Sequence, residues 1–143
     1  VMLFGQMIDS DAALTKRALT VTGSGATTFA GAVGGTTALA SLTVNGGGTA
    51  LLNGSGVTTS GAQSYADVVT VGASAILTGT DISFSQTIDG GVTAGGLTVT
   101  GSGATTFTGA IGSTTPLASL TVDGGVVNAL LPNHFADPSG GGH

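Results

Sequence analysis

The sequence predicts an all-β chain wound as a right-handed parallel β-solenoid (β-helix) of about five coils, 23–28 residues per coil. Two observations carry this. Residues 19–47, LTVTGSGATTFAGAVGGTTALASLTVNGG, return as residues 97–125, LTVTGSGATTFTGAIGSTTPLASLTVDGG, an offset of 78 residues at which 24 of 29 positions are identical. Inside that unit a shorter marker recurs, a branched apolar residue followed by Thr and Val. It stands at Leu19-Thr20-Val21, Leu42-Thr43-Val44, Val69-Thr70-Val71, Leu97-Thr98-Val99 and Leu120-Thr121-Val122, with spacings of 23, 27, 28 and 23 residues.

Each marker alternates with a period of two, so that Leu19 and Val21 point one way and Thr20 the other, the pattern of a half-buried strand. Glycine steps at residues 23–25, 34–35 and 46–48 supply the corners between such strands. A second apolar position follows at Phe29, Leu52, Leu77 and Phe107, and a third at Val33, Val57, Ile82 and Ile111. An antiparallel sandwich gives no reason for successive segments to repeat residue types at fixed offsets. Stacked coils do, because equivalent residues then form columns with a rise of about 4.8 Å per coil, and five coils make a stub roughly 25 Å tall. The expected core columns are Leu19, Leu42, Val69, Leu97 and Leu120, then Val21, Val44, Val71, Val99 and Val122, then Phe29, Leu52, Leu77 and Phe107. The right-handed crossover rule sets the winding.

The repeat also divides the chain. Residues 1–18 are the end of a preceding unit, because FGQMID at residues 4–9 matches FSQTID at residues 84–89. Residues 19–96 are one full unit, read as three coils, residues 97–131 a partial second unit, and residues 132–143 an irregular C-terminal tail.

Between the core columns, Thr20, Thr43, Thr70, Thr98 and Thr121 are expected to form an exposed ladder. Few charges guard the strand edges at the two ends of such a stack, so pairing with another chain is the expected behaviour, and a head-to-tail contact that does not close on itself makes a filament. The expected apolar contacts are Met2, Phe4 and Ile8 at one end and Val122, Leu130, Leu131 and Phe135 at the other. The expected partner is therefore the chain itself, end to end or in a longer array. Surface glycans are the alternative, bound by the Thr, Ser and Asn flank, although a single Tyr and no Trp leave little for sugar stacking.

The segment LTVTGSGATTFAGAVGGTTALASLTV with the following GGGTALLNGSGVTTSGAQSY resembles the β-strand repeats of very large bacterial surface proteins, in the style of filamentous-haemagglutinin and autotransporter-passenger β-helices. The resemblance covers residues 1–131. It implies secretion to the bacterial cell surface, a rod-like solenoid, and a role in adhesion, biofilm or fibre formation. It brings no catalytic motif with it.

Composition narrows the remaining chemistry. Two basic residues, Lys16 and Arg17, against seven aspartates and no glutamate give a formal charge of −5, too little positive charge for a nucleic-acid groove or an anionic-membrane patch. Mean hydropathy is +0.49, yet no apolar run approaches the roughly 18 residues of a membrane-spanning helix. No cysteine is present, which removes disulfides and thiolate chemistry.

An enzyme is not expected. Asp67, Asp81, Asp89 and Asp123 fall at different coil positions, and Asp9 and Asp89, equivalent in the repeat, stand about three coils or roughly 14 Å apart, beyond a glycosidase pair. They read as solvated turn residues. No cofactor or metal is expected, since neither Asp89-Gly90-Gly91 nor Asp123-Gly124-Gly125 follows the G-G-x-G-x-D order of calcium-binding β-rolls. Ser139, His134 and Asp137 lie on the Gly/Pro tail without an oxyanion frame, and Gly23-Ser24-Gly25 lacks the lysine and helix of a phosphate loop. Lys16-Arg17 reads as a solvated turn at an otherwise neutral edge. A two-row threonine face able to order ice would add Thr22, Asn45, Gly72, Thr100 and Asp123, and only two of those five are threonine, so an ice-binding solenoid is the distant alternative.

Overall fold

The structure, a computed structural model, describes residues 2–11, 14–54, 56–91 and 95–129. Its strands form three parallel sheets, which are the three faces of a right-handed parallel β-solenoid of about six turns, with no helix among the described residues. The first face holds β1 (Met2–Phe4), β3 (Ala26–Phe29), β5 (Thr49–Leu52), β8 (Val68–Val71) and β11 (Ile88–Gly90), in that order. The second holds β6 (Gly56–Thr58), β9 (Ala75–Gly79), β12 (Gly96–Gly101) and β14 (Ser119–Asp123). The third holds β2 (Ala18–Thr22), β4 (Ser41–Asn45), β7 (Gln63–Tyr65), β10 (Ile82–Phe84), β13 (Ala104–Phe107) and β15 (Val126–Ala129). Single bridges extend two faces, Ile8 to Val33 to Val57 on the second and Ile88 to Ile111 on the first.

The turns are shorter and more numerous than the marker spacing implies. Down the third face the register runs Leu19, Leu42, Gln63, Ile82, Thr105 and Val127, steps of 23, 21, 19, 23 and 22 residues. Down the first it runs Met2, Thr27, Ala50, Val69 and Ile88, steps of 25, 23, 19 and 19. The reason is that the Leu-Thr-Val marker is not tied to one face. Leu19 and Leu42 pair on the third face, Val69 stands on the first, and Leu97 and Leu120 pair on the second. Spacings of 23 are whole turns, while those of 27 and 28 are a turn and a third.

The 78-residue unit therefore spans about three and two-thirds turns instead of three. The two near-identical ATTF strands illustrate it: β3 lies on the first face and β13 on the third. The expected core columns are accordingly divided among the faces, yet nearly every residue in them points inward. Leu42, Val44, Val69, Val71, Leu97 and Val99 are buried, and Leu19, Leu120 and Val122 pack half-buried against them at the two ends.

Side chains of like shape stack from rung to rung. Phe29 lies on Phe4 with ring centroids 5.3 Å apart, and Tyr65, Phe84 and Phe107 form a second pile at 5.1 and 5.3 Å with nearly parallel planes. A gap of about 10 Å³ among Phe29, Leu52, Val57 and Leu77 is too small for any ligand. Close stacking also explains particular glycines: a Cβ on Gly31 or on its repeat equivalent Gly109 would meet the backbone of Gln6 or Gln86 in the adjacent rung at 2.5 Å.

Candidate functional site

The expected threonine ladder is distributed over the three faces. Thr20 and Thr43 are neighbours on the third, Thr98 and Thr121 on the second, and Thr70 stands on the first between Leu51 and Asp89. A different hydroxyl row takes its place. The outward centre of the third face runs Thr20, Thr43, Ser64, Ser83, Thr106 and Asn128, six consecutive rungs of small polar side chains. Beside it Thr22 Oγ1 donates to Asn45 Oδ1 at 2.7 Å. On the second face Thr58, Thr78 and Thr100 align and end on Asp123. Sequence reasoning missed Ser64 and Ser83 because neither sits in a Leu-Thr-Val marker.

The ends of the stack are strands paired on one side only among the described residues. At one end these are β1 and β2, and at the other β14 and β15. Met2, Phe4 and Ile8 of the expected assembly set belong to the first rung and are half-buried against the core, and Val122 does the same in the last turn above Val99. Leu130, Leu131 and Phe135, with the tail that carries His134, Asp137, Ser139 and His143, lie outside the described residues. The last described strand exposes Val126 and Val127 at 61% and 50%.

The aspartates are interlocking parts of the frame. Asp9 Oδ1 accepts the backbone N–H groups of Thr36 and Thr37 at 3.0 and 3.2 Å, and Asp89 Oδ1 accepts those of Thr114 and Thr115 at the same two distances. Each carboxylate thus clamps a Gly-x-Thr-Thr excursion one turn further along, where Gly34 and Gly112 adopt φ of 71° and 69°. Asp67, buried, accepts from Gly47 N at 2.9 Å, and Asp81 accepts from Ala104 N at 2.8 Å. The signal was the identity of Ile8-Asp9 and Ile88-Asp89 in the repeat, but the bonded partner lies 25 to 28 residues downstream, beyond any local motif.

Lys16 and Arg17 lie in the exposed connection before β2, where Arg17 Nε pairs with Asp11 Oδ1 at 3.1 Å and holds that carboxyl below its ordinary pKa. In the core, Tyr65 donates through its hydroxyl to Gln63 Oε1 at 2.8 Å. Gln63 Nε2 donates in turn to Thr78 O at 2.9 Å, so both buried side chains are satisfied. Burial pushes the Tyr65 phenol well above its ordinary value. Thr105, in the same inward column as Gln63, keeps its hydroxyl buried without a partner.

Chemically, this arrangement offers paired backbone edges at its ends and ordered hydroxyls on one flank; no group of three or more metal-ligating side chains comes together among the described residues. The fold defines the chain as a parallel β-solenoid repeat protein. No protein-family model matches the sequence, and neither a curated protein nor a solved structure matches it.

Proposed function

We propose that this chain is a structural element of a bacterial extracellular or cell-surface fibre, serving adhesion or biofilm formation without catalysis, cofactor or metal. Its mechanism is backbone hydrogen bonding from coil to coil and from the end of one stack to the next. The observation that carries this reading is the run of parallel ladders that finish in one-sided strands at both ends, a surface that sheet proteins normally blunt with charge or bulges. The likeness of the repeat to filamentous-haemagglutinin and autotransporter-passenger segments supports the location.

Negative-stain microscopy of the purified chain tests it directly: fibres of solenoid width are expected, and a field of isolated stubs at high protein concentration would refute the reading. Val122→Asp places a charge at an inward position in the last turn and is expected to abolish fibres.

A second reading rests on the hydroxyl row of the third face, whose six rungs repeat at about 4.8 Å. Such a row suits weak, multivalent hydrogen bonding to a glycan surface. Binding on a glycan array by a protein that stays monomeric would favour this reading over the fibre, whereas thermal hysteresis would point to ordered water as the ligand.

A further inference from the structure

The direction in which the chain visits its faces sets how a second copy would fit. The path runs first, second, third face, beginning with β1 on the first and reaching β15 on the third among the described residues. The place that follows β15 in that path is on the first face, the face β1 occupies, so a second copy can continue the winding without rotation. Its β1 would lie over Ile111, its Ile8 over β14, and its β2 over β15.

We propose that a second copy of this chain docks in this phase, with Ala18, Leu19, Thr20 and Val21 of the second copy opposite Val126, Val127, Asn128 and Ala129 of the first, and Lys16-Arg17 of the second copy above the Asp123 corner of the first. The inference rests on the end-to-end reading and adds its register and polarity.

Side-chain alternation restricts the choice. Val127 and Ala129 continue the inward columns of Thr105 and Phe107, and Leu19 and Val21 begin the inward columns at the other end. A slip of one residue would turn all of them outward. The molecule already contains a comparable joint: Leu97 and Val99 of the second LTVTG segment rest on Ala75 and Leu77 of β9. The exposed Val126 and Val127 and the half-buried Leu19 would close against each other, and the hydroxyl row would run on from Asn128 to Thr20 of the second copy.

A slip of two residues would preserve the alternation, and charge distinguishes it. The chain's only two bases stand just before β2, at the corner between the second and third faces of the first rung. At the same corner of the last rung stands Asp123, followed by Gly124 and Gly125 with φ of 83° and 62°. The other described aspartates are engaged, Asp9, Asp67, Asp81 and Asp89 by backbone N–H groups and Asp11 by Arg17. Asp123 is exposed and has no side-chain partner among the described residues. With Arg17 opposite Gly125 and Lys16 opposite Gly124, the basic pair sits within about one rung of that carboxylate. Asp11 travels with the pair and leaves it a net charge of one, enough to match Asp123.

The chain lacks cysteine, so disulfide trapping reads the register cleanly. In Thr20→Cys/Asn128→Cys both substitutions are outward and exposed. Within one molecule they are five rungs or roughly 24 Å apart, far beyond the 7 Å limit for Cα atoms in a disulfide, whereas across the proposed joint they are about 4.8 Å apart. After checking that the reduced variant keeps the wild-type circular dichroism spectrum, oxidation is expected to give a ladder of multimers whose mapped bonds join residue 20 to residue 128. The offset pair Thr20→Cys/Val126→Cys should give at least about tenfold less, since its Cα atoms would exceed that limit. Asp123→Lys should lower fibre yield about tenfold at low ionic strength, and Lys16→Asp/Arg17→Asp in the same chain should restore it. Wild-type fibres without preferential 20–128 bonds overturn the register and leave the fibre reading standing. Isolated stubs for the wild type overturn both.

Discussion

Raising the pH puts a specific load on the core through Tyr65. Its phenol is fully buried, and its one hydrogen bond, donated to Gln63 Oε1, requires the proton. Burial raises its pKa above the ordinary value near 10. For a group whose folded-state pKa is raised, the folded form holds the proton more tightly than the unfolded form. Stability is therefore complete below about pH 10 and falls as pH rises toward the folded-state value.

Between those limits the slope is one proton, about 1.4 kcal/mol per pH unit, so roughly 2 kcal/mol disappears by about pH 11.5. Against a total stability on the order of 5–15 kcal/mol this is readily measured. Urea midpoints at several pH values between about 8 and 11.5 should fall with an unchanged m-value. Because Tyr65 is the chain's sole tyrosine and tryptophan is absent, the near-ultraviolet tyrosinate band should rise together with loss of structure. In Tyr65→Phe the alkaline slope should be shallower by this amount. That variant should also start about 1–3 kcal/mol less stable at neutral pH, because Gln63 Oε1 loses its donor. Tyrosinate forming near pH 10 in a chain with intact circular dichroism would refute the reasoning.

Other perturbations follow from the same frame. Thr105→Val removes a buried hydroxyl that has no partner, and thermal or urea denaturation should show a gain of about 1 kcal/mol. Asp9→Ala and Asp89→Ala should each cost about 2–3 kcal/mol, since two charge-assisted hydrogen bonds go in both cases, and hydrogen exchange should quicken selectively at Thr36 and Thr37 or at Thr114 and Thr115. Gly109→Ala forces a Cβ against the Gln86 backbone, so an expected loss of about 1–3 kcal/mol should appear in the urea midpoint.

Strand identity and the inward-facing residues were legible because a period of two needs only local sequence: Leu42, Val44, Val69, Leu97 and Phe107 are all buried as their alternation required. Face assignment was not, because Leu-Thr-Val and Ala-Thr-Thr-Phe suit any side of the stack, and only the lengths of the corners decide which side they reach. Gln63 was hidden for another reason. A glutamine gives no sign of being core until Tyr65 and Thr78 O are seen to satisfy it. The aspartate clamps were invisible because hydrogen bonds between rungs join residues that the sequence keeps a full turn apart. Of the assembly residues, Met2, Phe4, Ile8 and Val122 do occupy end turns, while the exposed Val126 and Val127 were overlooked because they follow a Gly-Gly step outside the repeated marker.

The non-integral winding of the 78-residue unit bears on how such a chain can lengthen. Where each side of a stack demands its own residues, a gene duplication must add whole turns, or every later strand lands on the wrong side. Here a copied segment has been accepted two-thirds of a turn out of phase, and of the five positions that differ between the copies only Val33/Ile111 is buried, one β-branched residue for another. Unequal recombination of almost any length that respects strand alternation would then yield a foldable product, so length can vary among descendants faster than core chemistry does.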